Sequence, residues 1–435
     1  MNLAVARPIP RAARLRGRLR LPSDKSVAHR ALIANALAGG PAEVQLRAPG
    51  ADVRSTIGAL RELGVEISEA PGSDGVVRVR LRGRPHRNER LLECGNSGTS
   101  LRLLAGALAG VPLAATLDGD ASLRARPMER VAAPLRAMGA TVSTDGGHAP
   151  LHVTAAGRLR AVEHRLPVSS AQLIAAMSFA ALAADGETAI LAPGPTRDHT
   201  ERLLAWMGVE IARHGLVTTI RGPAAISPRS LDVPGDPSAA TPWLVAAAIH
   251  PDADLELTDV GLNPTRLAAV EVLREMGARI DLRGVESDGP EPRGNLLVRS
   301  AGGLRPVSLG GERVAELIDE LPALAVAMAA ADGTSELRDA GELRVKESDR
   351  ISAMVAGLAA MGVRVEELHD GWRIAPGAPR DAEVATRGDH RVAMAFAVAG
   401  LVGVGGQVSL DDPACASVSY PTFWDDLARV SGGEA

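Results

Sequence analysis

Two patterns of apolar and polar positions alternate along the chain. In the first, apolar side chains fall at helical spacing, run into Leu-Gly or Met-Gly, and are followed by residues that alternate in polarity. It occurs as ALRELGVEI, PLRAMGATV, LLAWMGVEI, VLREMGARI and GLAAMGVRV, with the glycine at Gly64, Gly139, Gly208, Gly277 and Gly362. In the last copy Ile351, Met354, Val355, Leu358 and Met361 mark one helical face. Glycine accepts the left-handed conformation that closes a helix, and the alternation after it predicts a half-buried strand.

The second pattern is a run of small apolar residues, a turn, and a short strand ending in leucine beside Asp, Pro or Gly. The strand ends are Leu46, Leu117, Leu191, Leu257, Leu337 and Leu410, at intervals of 66 to 80 residues. The runs before them include NALAG, RLLAGALAG, IAAMSFAALAA, WLVAAAI, LAVAMAAA and VAMAFAVAGL. They are apolar nearly all round, which predicts buried helices. The chain therefore reads as six copies of one unit, each with two helices and several strands. A bundle of buried helices surrounded by sheet, divided into two domains of three units, satisfies the pattern; an open solenoid of six units is the rival.

Composition narrows the function classes. The 435 residues include 48 basic and 52 acidic ones, a net charge of −4. A basic nucleic-acid-binding surface is not indicated, and aromatics at 2% are too few for base-stacking platforms. Cys94 and Cys415 are the only cysteines, which excludes a disulfide framework or a cysteine-rich zinc site. The longest near-apolar stretch, Ala171 to Ala184, is shorter than the roughly 18–20 residues that span a bilayer. The N-terminus MNLAVARPIPRAARLRGRLRLP has the arginine content of an organellar transit peptide but no apolar signal core. We read it as an exposed tail leading into a strand, with a cytoplasmic address. No H-E-x-x-H, G-x-x-x-x-G-K-[ST] or G-x-S-x-G occurs, so metal-dependent hydrolysis, nucleoside triphosphate hydrolysis and α/β-hydrolase chemistry are disfavoured.

Polar chemistry collects just before the buried helices: PSDKSVAHR, CGNSGTSLR, VSSAQ, GDPSAAT, LIDELP and RGDHR. Ser, Asn, Asp and Thr there are ordinary N-caps, and for Ser238 and Thr241 capping suffices. A helix N-terminus also offers unpaired N–H groups to an anion. Lys25 and Lys346 are the only lysines among the 48 basic residues, the rest being arginine. Codon drift explains arginine excess but not two surviving ammonium groups, whose compact, tunable charge a guanidinium cannot copy. Both lie in cationic clusters: Lys25 with Ser26 and Arg30, Lys346 with Glu347, Asp349 and Arg350. Ser26 and Arg30, like Lys346 and Arg350, are spaced to share a helix face. Arg124, Arg126, Arg197, His199, His390 and Arg391 add to them. The alternative is a set of helix-surface ion pairs of small energy. The reading favoured is a cleft, between two domains, that binds ligands with several negative groups.

PSDKSVAHR, GNSGT, GDASLRARPM, SSAQ, LRVKESDR and GDHR, in this order and across essentially the whole chain, resemble the 5-enolpyruvylshikimate-3-phosphate synthases of the enolpyruvyl transferase family. The resemblance implies an inside-out α/β barrel fold: two similar domains, each of three βαβαββ-type repeats with buried helices surrounded by sheets. It implies a discontinuous first domain, 1–22 plus 236–435, and a second domain, 23–235. The reaction implied is transfer of the enolpyruvyl group of phosphoenolpyruvate to the 5-hydroxyl of shikimate 3-phosphate. It runs through a tetrahedral intermediate, releases phosphate, serves aromatic amino-acid biosynthesis and is the target of glyphosate. The expected partners are those two small molecules, with no cofactor, metal, nucleic acid or membrane, and a monomer.

By the same resemblance, shikimate 3-phosphate is held by Lys25, Ser26, Arg30, Ser170, Ala171, Gln172, Arg197, Asp319 and Lys346. Phosphoenolpyruvate is held by Lys25, Asn96, Gly98, Arg126, Gln172, Arg350 and Arg391. Asp319, Glu347 and Lys25 are the catalytic set: Asp319 takes the hydroxyl proton, Glu347 protonates the methylene, and Lys25 stabilises charge on the bridging oxygen. One departure is Val418 in CASVSYP, where many relatives carry lysine. Gly98 stands where glyphosate-tolerant members of the similar branch have alanine. Two rivals stay open. The sister transferase acting on UDP-N-acetylglucosamine usually has Asn after the first lysine and a cysteine in the loop near 115–125. Ser26 follows Lys25 here, and Gly119 to Val131 has no cysteine. A non-catalytic repeat scaffold would need neither lysine.

Overall fold

A computed structural model describes residues 7–73, 75–154, 157–404 and 406–432. The first six residues of the arginine-rich tail lie outside the described residues; the rest of that stretch carries the strands Arg7–Ile9 and Leu15–Arg20. The chain divides into two units of nearly equal internal density. Unit 1 is Met1–Pro22, Pro234–Glu286 and Pro292–Ala435; unit 2 is Ser23–Val233 with Ser287–Glu291.

Five of the six repeats build one sheet on a single plan. An incoming strand pairs parallel with the strand that follows the buried helix; that strand pairs antiparallel with the last of the repeat, which pairs antiparallel with the one before it. In the first repeat of unit 2, Leu231–Asp232 runs parallel to Ala42–Arg47, which pairs with Val76–Arg82 and so with Glu66–Pro71. In unit 1, Leu15–Arg20 runs parallel to Ala253–Gly261, which pairs with Arg293–Arg299 and so with Arg279–Glu286. The sixth sheet has three strands, Arg7–Ile9, Val408–Leu410 and Ala382–Val384. A βαβαββ order thus recurs three times in unit 2 and twice in unit 1, whose remaining sheet is completed by the N-terminal strand Arg7–Ile9.

The inner helices are Lys25–Ala38, Gly98–Ala109 and Ala171–Ala181 in unit 2, and Pro237–Ile249, Leu321–Ala329 and His390–Val402 in unit 1. They are buried over almost their whole length, as an apolar surface on every side requires. Their small residues let backbones meet: a Cβ on Gly106 would sit 2.1 Å from the carbonyl oxygen of Ala176 on the neighbouring helix. Each unit has its own continuous apolar core. The outer helices end as the glycine pattern requires. Gly64, Gly139, Gly208, Gly277 and Gly362 all have φ between 84° and 106°, where a side chain would be strained. A sixth outer helix, Phe423–Val430, also runs into a left-handed glycine, Gly432 at φ 76°, but Ser431 stands before it in place of Leu or Met; beside it the rings of Trp243, Tyr420 and Phe423 pack at 5.3 to 6.4 Å.

Candidate active site

In unit 2 the three inner helices begin at one place. Arg30, on the 25–38 helix, is 2% exposed. It donates to the carbonyl of Ala171 at the start of the 171–181 helix (3.1 Å), to the carbonyl of Ser26 one turn back (2.8 Å) and to Oγ1 of Thr200 (2.7 Å). Burial pulls its guanidinium down to about 10, against the opposing pull of Glu201 and Asp24. Gln172, one residue inside the 171–181 helix, reaches the 98–109 helix: Nε2 donates to Oγ1 of Thr99 (2.9 Å), and Oε1 accepts from Nη1 of Arg102 (2.7 Å). These cross-links make the three N-termini converge and sum their positive dipole ends.

The remaining side chains line this convergence. Asp24 caps the 25–38 helix, its carboxylate accepting from the N–H of Ser26 at 2.7 Å. Ser170 caps the 171–181 helix. Nζ of Lys25 is 3.0 Å from Oδ2 of Asp52. Arg126, 9% exposed, donates from Nη2 to Oδ1 of Asn96 (2.6 Å), whose amide is turned to Asp120 (3.0 Å). Gly98 opens the 98–109 helix, and a Cβ there would lie 2.9 Å from Nη1 of Arg102 and 3.2 Å from Nη1 of Arg126. Half-buried Arg197 is near enough for its charge to lower the pKa of Arg30. Arg124 is turned away from this group, forking onto Asp118 through Nε at 2.9 Å and Nη2 at 2.5 Å.

Unit 1 repeats the convergence with carboxylates set among its cations. Nη1 of Arg391, at the start of the 390–402 helix, donates to the carbonyl of Ser238 (3.1 Å) in the 237–249 helix. Oγ of Ser238 donates in turn to Glu320, the residue before the 321–329 helix. The cap of the 237–249 helix is Asp236 rather than Ser238: its carboxylate accepts from the N–H of Ser238 at 2.8 Å and pairs with buried Arg266 at 3.0 Å. Ser238 is thereby freed to bridge Arg266 and Glu320. Thr241 donates to the carbonyl of Pro237 (3.0 Å) and does not cap.

Beside it, Arg350 gathers the acidic residues. Nε lies 2.8 Å from Oδ2 of Asp389, Nη2 lies 2.7 Å from Oε2 of Glu347, and Nη1 is 3.7 Å from Oδ1 of Asp319. Nζ of Lys346 is 4.0 Å from that same oxygen. Burial lowers the Lys346 ammonium below its ordinary value, with Asp319 opposing and Arg350 reinforcing the shift. The carboxyl of Asp389 lies below the usual range: burial alone would raise it, but Arg350 and His390 pull it down. Lys346 and Arg350 do not share a helix face. Asp349 caps the helix Arg350–Ala360, so Lys346 and Glu347 sit in the preceding loop, where both can reach Asp319 or Arg350. Arg102, Asp52 and Asp389, which bind the group together, were not among the sequence candidates.

The inner helices start among cations in one unit and beside an arginine-clamped set of carboxylates in the other, and comparison gives the class of protein that carries these two clusters. The fold is shared with the enolpyruvyl transferase NikO of Streptomyces tendae, at a TM-score of 0.78 over 99% of this chain and 98% of that one; at 20% identity that likeness concerns the fold alone. EPSP synthase of Acinetobacter baumannii matches at 0.84 and 35% identity, over 98% and 97% of the two chains. The 3-phosphoshikimate 1-carboxyvinyltransferase of Roseiflexus castenholzii is 48% identical, covering 96% of this chain and 97% of that protein, and that of Salinibacter ruber is 44% identical over 97% and 99%. The chain belongs to the EPSP synthase (3-phosphoshikimate 1-carboxyvinyltransferase) family, whose model matches residues 9–427. No helix among the described residues is long and apolar enough to cross a membrane.

Proposed function

We propose that the protein transfers the enolpyruvyl group of phosphoenolpyruvate to the 5-hydroxyl of shikimate 3-phosphate and releases inorganic phosphate. Family membership over residues 9–427 is the observation that carries this reading, and the two charged clusters give it a chemistry. Both substrates are multiply anionic, and Lys25, Arg30, Arg126 and Arg197 supply positive charge around three helix N-termini. The shikimate phosphate falls to Lys25, Ser26, Arg30, Ser170, Ala171, Gln172 and Arg197 of unit 2, its ring hydroxyls to Asp319 and Lys346 of unit 1. Phosphoenolpyruvate falls to Lys25, Asn96, Gly98, Arg126 and Gln172, with Arg350 and Arg391 for its carboxylate.

Addition needs a proton delivered to the vinyl carbon while another leaves the attacking hydroxyl, so two groups must differ in protonation. We assign the donor to Glu347 and the acceptor to Asp319. The two carboxylates stand in different surroundings: Arg350 sits 2.7 Å from Glu347 but 3.7 Å from Asp319, and Lys346 is near Asp319. Lys25 stabilises the bridging oxygen as phosphate leaves. Ser26 after Lys25 and the cysteine-free 119–131 loop favour this acceptor over UDP-N-acetylglucosamine. A cytoplasmic address and action as a monomer belong to the same proposal. Mixing the protein with both substrates and assaying inorganic phosphate tests it; no phosphate release would refute the assignment.

A further inference from the structure

The strands Arg279–Glu286 and Arg293–Arg299 belong to unit 1, yet the residues joining them, Ser287–Glu291, group with unit 2. The base of this excursion is fixed. Arg293 forks onto Asp259 within unit 1, with Nε to Oδ1 at 2.5 Å and Nη2 to Oδ2 at 2.6 Å. Its C-terminal end carries Glu291 between Pro290 and Pro292, whose rings fix the backbone on either side.

Glu291 is only 5% exposed, a burial that a carboxylate tolerates only with a partner. Its Oε1 lies 2.7 Å from Nδ1 of His199, itself 2% exposed. His199 opens the helix His199–Trp206, and nothing on that helix's own N-cap residue does the capping: the carboxylate of Asp198 turns instead to Nε of Arg202 at 2.8 Å. The next residue, Thr200, takes the Nε hydrogen bond of buried Arg30, and Arg197 stands two residues before His199. Arg30 and Arg197 repel each other, and the charges of Glu201, Asp24 and Glu291 oppose that repulsion.

We propose that Glu291 is a positioning residue for the phosphate-ester end of the shikimate 3-phosphate site: by holding His199 it fixes the 197–200 turn, and so sets Arg197 and Arg30 in place to grip the ester. This rests on the substrate assignment above. The inference gives a segment spliced from the sequence of unit 1 a part in the anion site of unit 2.

The test is calorimetric titration of shikimate 3-phosphate into the full-length protein, with steady-state kinetics alongside. Glu291→Ala should weaken shikimate 3-phosphate about tenfold or more, the scale of a lost charge-assisted hydrogen bond. Its KM for that substrate should rise likewise, while kcat at saturation and KM for phosphoenolpyruvate stay within about threefold. Glu291→Asp, which keeps the charge but withdraws it by one methylene, should give an intermediate loss and covers the case in which the alanine variant does not fold. His199→Ala should match Glu291→Ala, and the double variant should be no worse than either single one. An unchanged dissociation constant in Glu291→Asp and Glu291→Ala, additive losses in the double variant, or a parallel rise in both KM values would overturn the inference. Wild-type protein is titrated first. If it binds no shikimate 3-phosphate, the substrate assignment falls and this inference with it; normal wild-type binding with unaltered variants overturns this inference alone.

Discussion

Nε of Arg350 donates to Oδ2 of Asp389 at 2.8 Å, and neither side chain is more than 1% exposed. Such a pair is costly to break, because the survivor keeps a buried charge. Asp389 also caps the 390–402 helix through the N–H of Arg391 at 2.9 Å. Asp389→Asn retains a capping side chain and removes only the charge. The expected cost is about 3 kcal/mol, a fall in melting temperature of roughly 6–12 °C for a unit of this size. A melting temperature within 2 °C of wild type, on the same scale of degrees per kcal/mol, would show that Glu347 alone satisfies Arg350.

The proton-transfer assignment makes a kinetic prediction. Positioned acids and bases contribute about 10²–10⁴-fold, so Glu347→Gln and Asp319→Asn should each lower kcat by at least roughly 100-fold. Because Glu347 is held by Arg350 and Asp319 is approached by both Arg350 and Lys346, each amide also leaves a cation less neutralised. Turnover within a few-fold of wild type in either variant would remove that residue from the reaction.

Lys25→Arg tests why lysine survives in an arginine-rich chain. The ammonium is 3.0 Å from Asp52 and its side chain is about one-fifth exposed. A planar guanidinium can keep that ion pair but not a point charge in the same volume. We expect a loss of kcat of about 100-fold or more with the fold intact, read as unchanged circular dichroism. Retained turnover would show the ammonium to be replaceable.

The repeat, the buried inner helices and the glycine-closed outer helices were legible because each is written locally. Helical spacing, all-round apolarity and the position of Gly64 or Gly362 need no knowledge of the rest of the chain. The partners of the site residues were not. Asp52 meets Lys25 from 27 residues away and Asp389 meets Arg350 from 39 away, and a buried carboxylate leaves no periodic trace. Arg102 was hidden for another reason: in a chain where nearly every cation is arginine, one more on a helix carries no signal until Gln172 is seen to accept from it. The sixth outer helix escaped because Ser431, not leucine or methionine, precedes its closing glycine, Gly432.

Gly98 sets how much room the phosphoenolpyruvate side has. A methyl group there would press on the guanidinium tips of Arg102 at 2.9 Å and Arg126 at 3.2 Å. Both can swing by a few tenths of an ångström, so Gly98→Ala should fold. Arg126 and, through Arg102, Gln172 would move, and we expect KM for phosphoenolpyruvate to rise by about three- to tenfold. The wild type should be inhibited by glyphosate in competition with phosphoenolpyruvate, and Gly98→Ala should be inhibited far less because the inhibitor is the longer molecule. A millimolar inhibition constant for the wild type would contradict this.

His29 gives the fold a pH dependence whose sign can be worked out. The ring is fully buried on the 25–38 helix, with Nδ1 2.7 Å from Oγ1 of Thr56. Burial pushes its pKa from 6.5 down to about 3; Asp52 opposes the shift, while Lys25 and Arg30 add to it. Between those two values the unfolded chain binds a proton that the folded chain refuses, so stability falls as pH drops through 6.5 and continues to fall towards 3. From pH 7 to pH 5 the single group accounts for about 2 kcal/mol, or roughly 4–8 °C in melting temperature. Carboxylates elsewhere add their own slopes, so the quantity to measure is the difference between the wild type and His29→Gln, which keeps a side-chain amide near Thr56 and cannot titrate. The variant should lose about 4–8 °C less than the wild type over this interval. Equal losses would mean that the imidazole is protonated inside the folded protein.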